Sequence, residues 1–323
     1  MKRIYIKGPL HKKIYEYIKF RKSVGFTMRN TEYVFKEFDD FLARQHPKMK
    51  SITRQMVIDY LASKKILHLR SRNYRVTILR GFCRYLYQQN NQHYIPEKGI
   101  LPNAKKKVIP YILSEGEILD ILKKIESRPK RKILYFSAKT VISLLSVTGL
   151  RISEACRLNI SDVDFKRGIL HIRRSKFYKS RIVPISQSAV LALIYYKQTR
   201  LGYFRTTDPL APFFVNMTGN RILRENIGRI FRKAVRELKI ITDQGTIPRI
   251  HDLRHTFATR SLERVALGGG DPEAHLPTLA TFLGHANLDY TETYLHPSKE
   301  LLREAGNRFN NYSMADHQIG NQT

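Results

Sequence analysis

Six side chains, drawn from four separate stretches of the sequence, carry the groups needed to break a phosphodiester bond. Arg151 lies just past a glycine in TGLRISEACRL, and Lys176 lies in SKFYKSR, a basic turn that also holds Lys179 and Arg181. His251 and Arg254 are three apart in HDLRHTFATR, with His255 beside them, and His285 and Tyr294 fall in LGHANLDYTETYLH. Arginine forks bind non-bridging phosphate oxygens bidentately and offset the charge of a five-coordinate transition state. A tyrosine oxygen is a nucleophile once its proton is removed, its free pKa being about 10. A lysine can protonate the leaving 5′ oxygen, and histidines can donate to the phosphate or accept the tyrosine proton. Each stretch has a plainer account by itself. Gly149 would cap a helix, Arg151 would pair with Glu154, the basic turn would only solubilise, and His251 and Arg254 would share a helical face. The set as a whole is what points to chemistry.

The elements that must position these groups are mostly helices. Residues 30–45, NTEYVFKEFDDFLARQ, place Tyr33, Phe35, Phe38, Phe41 and Leu42 at three- and four-residue intervals, an amphipathic face. Thr53 precedes RQMVIDYLASKK as an N-cap would, and 69–90 reads as a longer helix in which Arg70, Arg72 and Arg75 are interleaved with Tyr74, Ile78 and Leu79. The expectation is a four-helix module over residues 1–104, with Arg70, Arg72 and Arg75 lying against phosphates. Pro96, Pro102, Pro110 and the run Lys105, Lys106 and Lys107 mark a basic linker, assigned to 105–112. A second domain over 113–312 opens at LSEGE, where Ser114 and Glu117 have capping-box spacing. Its period then changes from helical to alternating in GILHIRRS and SRIVPIS, two strands joined through KFYK, and returns to helical. Residues 313–323 read as a polar tail. The expected fold is mainly α with a small β-hairpin or sheet, an α+β second domain following a helical first one.

Charge narrows the partner. The 323 residues carry 58 Lys+Arg against 27 Asp+Glu, a formal net charge of +31. Residues 1–110 alone hold 25 Lys+Arg against 7 Asp+Glu, so the first third is the more basic part. Such an excess opposes compaction by self-repulsion and points to a polyanion, of which nucleic acid is the commonest. No apolar run approaches the roughly 20 residues that span a bilayer, and MKRIYIKGPLHKK lacks the apolar core of a signal peptide, so a cytoplasmic protein with no membrane partner is expected. Cys83 and Cys156 are the only cysteines and sit in apolar helical contexts, consistent with buried free thiols; no Cys/His spacing suggests zinc.

The order Arg, Lys, His-x-x-Arg, His, Tyr, on TGLRISEACRLNISDVDF, SKFYKSRIVPIS, HDLRHTFAT and LGHANLDYTETYLH, resembles the tyrosine recombinases, the phage integrases and Xer-type resolvases. The resemblance covers about residues 110–310, and the first module looks like the family's helical core-binding domain. It implies two domains forming a clamp around double-stranded DNA, with Arg151 and Arg254 clamping the scissile phosphate. Lys176 would be the general acid, with Lys179 the fallback on the same turn and Arg181 a further DNA contact. His251 and His285 would assist proton transfer and phosphate binding. Tyr294 would be the nucleophile in preference to Tyr290, one helical turn earlier. The family forms a 3′-phosphotyrosine and keeps the bond energy in that link, so no cofactor, metal or ATP is implied. It also implies a homo-tetramer in the synapse, with accessory proteins in some systems; KELLREAGNRF, 299–309, would dock on a neighbour or pack on its own domain. SLERVALGGGDPEAHLPTLATF, 261–282, is longer than the Xer-type version and resembles a transposon-associated subgroup, with Gly268–Gly270 read as a mobile turn.

Three other readings are weighed against a site-specific recombinase of a mobile element. A non-catalytic DNA-binding protein of the same fold would show an eroded catalytic position, and none is eroded. A metal-dependent nuclease would need a third carboxylate at a persuasive spacing beside Asp162 and Asp164. A type IB topoisomerase shares the chemistry but not the integrase-like spacing.

Overall fold

The structure is a computed structural model that describes residues 6–26, 28, 31–103, 110–128, 132–173, 180–206, 208–284 and 291. The chain divides into two compact units, Met1–Val108 and Ile109–Thr323.

Among the described residues the first unit holds four helices, α1 (His11–Ser23), α2 (Thr31–Gln45), α3 (Arg54–Ser63) and α4 (Leu69–Gln89). Helix α2 buries Val34, Phe35, Phe38, Phe41 and Leu42. Tyr33, counted above on the apolar face, is instead 53% exposed, and Val34 takes the inward position because the buried stripe runs one residue later. Thr53 caps α3 by accepting the Met56 N–H at 3.3 Å. Asp39, wholly buried on α2, accepts the backbone N–H groups of Gly8 and Leu10 at 2.6 and 2.8 Å and so fixes the chain entering α1. Burial keeps its pKa above the usual carboxylate value even though both N–H groups favour the anion. Cys83 packs in this core as a free thiol.

In the second unit, α5 (Glu115–Glu126) begins with the expected capping box: Ser114 Oγ accepts the Glu117 N–H, and the Glu117 carboxylate accepts the Ser114 N–H. Helix α6 (Lys132–Thr148) is buried on most of its circumference, as an element surrounded by others must be. It packs against α5, α8 (Gln187–Tyr203), α9 (Arg224–Glu237) and α10 (Asp252–Leu267). Following α6 come a one-turn helix, α7 (Ile152–Ala155), and a three-stranded antiparallel sheet in the order β1 (Val163–Asp164), β2 (Ile169–Ile172), β3 (Arg181–Pro184). The hairpin strands pair Ile172 with Arg181 and Leu170 with Val183. Strand β1 was not foreseen, because two residues are too few to show alternation.

The segment 261–282 is also more regular than its glycines suggested. Helix α10 continues to Leu267, and Pro272 opens α11 (Pro272–Leu283) behind the Asp271 cap, which accepts the Glu273 N–H at 2.8 Å. The turn between them is hydrogen-bonded, Gly268, Gly269 and Gly270 donating to Arg264, Ala266 and Val265 carbonyls.

A closed polar ring ties α6 to α8. Val215 N–H donates to Tyr196 Oη at 3.2 Å and Ser137 Oγ donates to the Val215 carbonyl at 2.8 Å. With the Ser137 proton so engaged, the Tyr196 hydroxyl donates to Ser137 Oγ at 2.7 Å. All three residues are buried. Tyr196→Phe leaves the buried Val215 N–H without this partner, while Ser137 keeps its bond to the Val215 carbonyl, and a loss of about 1–3 kcal/mol is expected in urea unfolding.

Candidate active site

The site is assembled where α6 ends. Gly149 adopts φ +59°, the left-handed conformation that stops a helix, and any Cβ there would lie 2.5 Å from Phe257 Cδ1 and 2.8 Å from Leu283 Cδ2. The missing side chain lets α10 and α11 close on the end of α6. Leu150 then turns into the core and Arg151 opens α7.

Three arginines converge on the carboxyl end of α11. A helix leaves its last carbonyls without intrahelical partners and concentrates negative potential there. Gly284, at φ +70°, turns its N–H back to the Thr281 carbonyl. The next three carbonyls each receive a guanidinium: Phe282 from Arg181 Nε at 2.9 Å, Leu283 from Arg254 Nη2 at 2.8 Å, and Gly284 from Arg151 Nη2 at 3.0 Å. Arg254 also donates to the Gly149 carbonyl at 2.7 Å, joining the two helix ends through one buried side chain.

Glu154 binds two of the three. Its Oε1 accepts from Arg151 Nη1 at 2.9 Å and Arg181 Nη1 at 3.2 Å, and its Oε2 from Arg181 Nη2 at 2.8 Å and the Arg151 backbone N–H at 3.1 Å. Burial alone would raise this carboxyl's pKa; the Arg181 hydrogen bonds and charge, followed by the contacts to Arg151, hold it below the ordinary value.

His251 stands at the start of α10, with its ring against that of His255, centroids 4.9 Å apart. Desolvation lowers its pKa first, then the positive charges of Arg254 and Arg249, with a smaller push from Arg151. His251 therefore favours its neutral form, and it lies within the field of both Arg151 and Arg254. His255 is pushed down to about 4, by burial first and then by His251. Asp252, the first residue of α10, accepts the Arg249 N–H at 2.7 Å and pairs with its guanidinium at 2.8 Å, so it fixes the chain entering the helix.

Of the residues expected to act, the structure thus gathers Arg151, His251 and Arg254. Lys176, Lys179, His285 and Tyr294 lie outside the described residues, as do Lys105, Lys106 and Lys107. Arg181 is at the site but turned inward to Glu154. In the first unit Arg70 is exposed and Arg72 half-buried. Arg75 is buried and paired with Glu37 at 2.7 Å, a packing role in place of the phosphate contact expected of it. The carboxylates weighed as metal ligands are turn-formers: Asp162 accepts the Asn159 N–H, and Asp164 accepts those of Lys166 and Arg167. Among the described residues no group of three or more His, Cys, Asp or Glu is arranged to hold a metal ion. The sharing of Glu154 by Arg181 was missed. Its signal was the alternation of SRIVP, which puts Arg181 on the same face as buried Val183.

A helical second unit that carries a small sheet and gathers arginines at one helix end defines the class of domain, and comparison with known proteins gives its family. Residues 112–300 match the phage integrase family. A Sinorhizobium fredii protein named as an integrase/recombinase is 34% identical over 302 residues, covering 91% of this chain and 95% of its own. The tyrosine recombinase XerC of Thermodesulfovibrio yellowstonii is 30% identical, covering 93% and 95%. In fold, the chain is similar to the Tn1549 transposon integrase in complex with a circular intermediate DNA, with TM-score 0.64, 20% identity and coverage of 92% and 99%. It is also similar to a lambda integrase dimer bound to a core site, with TM-score 0.62, 19% identity and coverage of 88% and 76%. The chain belongs to the phage integrase family. It is a tyrosine-type site-specific recombinase.

Two outcomes follow from the site's electrostatics. Glu154→Ala strands a buried guanidinium and is expected to destabilise the protein by about 3–5 kcal/mol in chemical unfolding. For His255 the folded pKa, about 4, is below its unfolded value near 6.5, so between these values the unfolded chain binds the extra proton. Its contribution to stability is therefore complete above pH 6.5 and is lost as pH falls toward 4. Unfolding midpoints measured across this window should decline, and His255→Asn should flatten the decline.

Proposed function

We propose that this recombinase cuts one DNA strand by attack of the Tyr294 oxygen on a phosphate held by Arg151 and Arg254. The P–O bond to the 5′ oxygen breaks as the P–O bond to tyrosine forms, leaving a 3′-phosphotyrosine. Lys176 supplies the proton that the departing 5′ oxygen takes, and His251, which favours its neutral form, accepts the tyrosine proton or donates to the phosphate with His285. The free 5′ hydroxyl of a partner strand then reverses the step, returning the tyrosine. The observation that carries this reading is the convergence of Arg151 and Arg254 on the Gly284 and Leu283 carbonyls, just before His285 in LGHANLDYTETYLH, with His251 within the field of both arginines.

The substrate is double-stranded DNA. Relatives in fold are described in complex with a circular intermediate DNA and bound to a core site, and the net charge of +31 supplies the counter-charge. Exposed Arg70, with Arg72 and the lysines at 105–107, would contact the backbone, the helical first unit and the catalytic unit together gripping the duplex. Integration, excision or transposition of a mobile element in the cytoplasm is the setting this reading favours, with four copies acting on two duplexes. Among the described residues no helix is long and apolar enough to cross a membrane.

The test uses duplexes tiled from DNA flanking the gene, each with a bridging 5′ phosphorothiolate at one position. The departing sulfur returns the attack poorly, so the covalent adduct accumulates. Wild-type protein in chelator should give a denaturant-resistant shift that Tyr294→Phe abolishes. A shift retained in that variant moves the nucleophile elsewhere, first to Tyr290. Tight binding without any adduct favours a non-catalytic DNA-binding role.

A further inference from the structure

We infer that Arg181 is a positioning residue for strand cleavage, acting on Arg151 through Glu154 and on the end of α11 through the Phe282 carbonyl. The inference rests on the recombinase reading above and adds to it a residue that never touches the DNA.

Strand β3 is inverted with respect to polarity. Its isoleucine, Ile182, is 58% exposed, whereas the Arg181 side chain is only 12% exposed and lies on the face of buried Val183. Alternation forces one of the two neighbours inward, and on hydrophobicity alone the isoleucine would be chosen. Burying a guanidinium is unfavourable unless its donors are satisfied. Here Nε reaches the Phe282 carbonyl while Nη1 and Nη2 grip the two oxygens of Glu154. A side chain so engaged presents its fork to the protein and not to a phosphate, which separates it from the DNA-contact role expected from its place in a basic turn.

The other half of Glu154 serves Arg151. Each carboxylate oxygen is shared, one donor from each arginine residue, so the carboxylate is held from both sides. Without Arg181 it is held only by the residue it is meant to fix, and the Arg151 fork loses its lateral reference. Gly284 completes the arrangement: a Cβ there would sit 2.8 Å from Arg181 Nη1, so the guanidinium lies flat against the glycine backbone whose carbonyl Arg151 uses. A lysine in place of Arg181 has a point charge and no planar fork, and would keep the attraction to Glu154 without reaching Phe282 at the same time.

The experiment takes the full chain and the duplex on which the wild-type adduct forms. It measures the single-turnover rate of adduct formation, and DNA affinity as a function of salt, for Arg181→Met, Arg181→Lys, Glu154→Gln and the double variant Arg181→Met with Glu154→Gln. Thermal unfolding accompanies each, and Gly284→Ala, which displaces the guanidinium sterically while leaving Arg181 in place, serves if Arg181→Met does not fold. A positioning role predicts a rate lower by about 100-fold in Arg181→Met, the scale of a 1 Å misplacement. It also predicts partial recovery in Arg181→Lys, an unchanged salt slope, and a double variant no slower than the slower single one. A salt slope smaller by about 0.9 would make Arg181 a phosphate contact and overturn the inference. So would a wild-type rate in a folded variant, which denotes structure alone, or rate losses that multiply in the double variant. Absence of the adduct in the wild type itself would remove the reaction, and that failure is read from the wild-type lane before any variant is compared.

Discussion

The catalytic unit is organised around an electrostatic debt at the end of one helix. Three successive backbone carbonyls, Phe282 to Gly284, meet three guanidiniums from the start of α7, the start of β3 and the first turn of α10. Elements far apart in sequence are joined by bonds from charged donors to neutral backbone acceptors, and each bond draws strength from the negative pole of α11. The same contacts solve two problems together. They satisfy carbonyls that would otherwise be orphaned, and they hold positive charge rigidly at one helix end.

That rigidity explains the other unusual groups nearby. Burial first, and then the concentrated positive charge of Arg254 and Arg249, shift His251 toward its neutral form. Glu154 is tied from both sides, so it offsets repulsion between Arg151 and Arg181. The thiol of Cys156, one residue past α7, is pushed up to about 12 chiefly by burial, and is therefore unreactive packing material.

Much of this was legible in the sequence, for identifiable reasons. Helix α2 follows from apolar spacing, the start of α3 from Thr53, the start of α5 from Ser114 and Glu117, and the hairpin from alternation. Arg151, His251 and Arg254 were found because charged and imidazole side chains stood beside glycine and within a short helical interval. What escaped notice was three-dimensional pairing. Arg75 and Arg181 are both arginines in basic surroundings, and both turn inward to a carboxylate, Glu37 or Glu154, that is remote in sequence by 38 and 27 residues. Local composition cannot see a partner at that distance, although the alternation around Arg181 gave its direction. Strand β1 was too short for any period, and the glycines at 268–270 suggested looseness where backbone hydrogen bonds close the turn.

Anchoring the arginines to carbonyls also shapes how the chain can change over evolutionary time. A main-chain oxygen has no codon of its own and survives substitution at its position, provided the helix still ends at the same place. The outward-facing residues of α11 are therefore open to drift without loosening the arginines, and new neighbours can be fitted along that helix while the chemistry stays fixed. Constraint is concentrated in Gly149 and Gly284, where a methyl group would collide with the assembly.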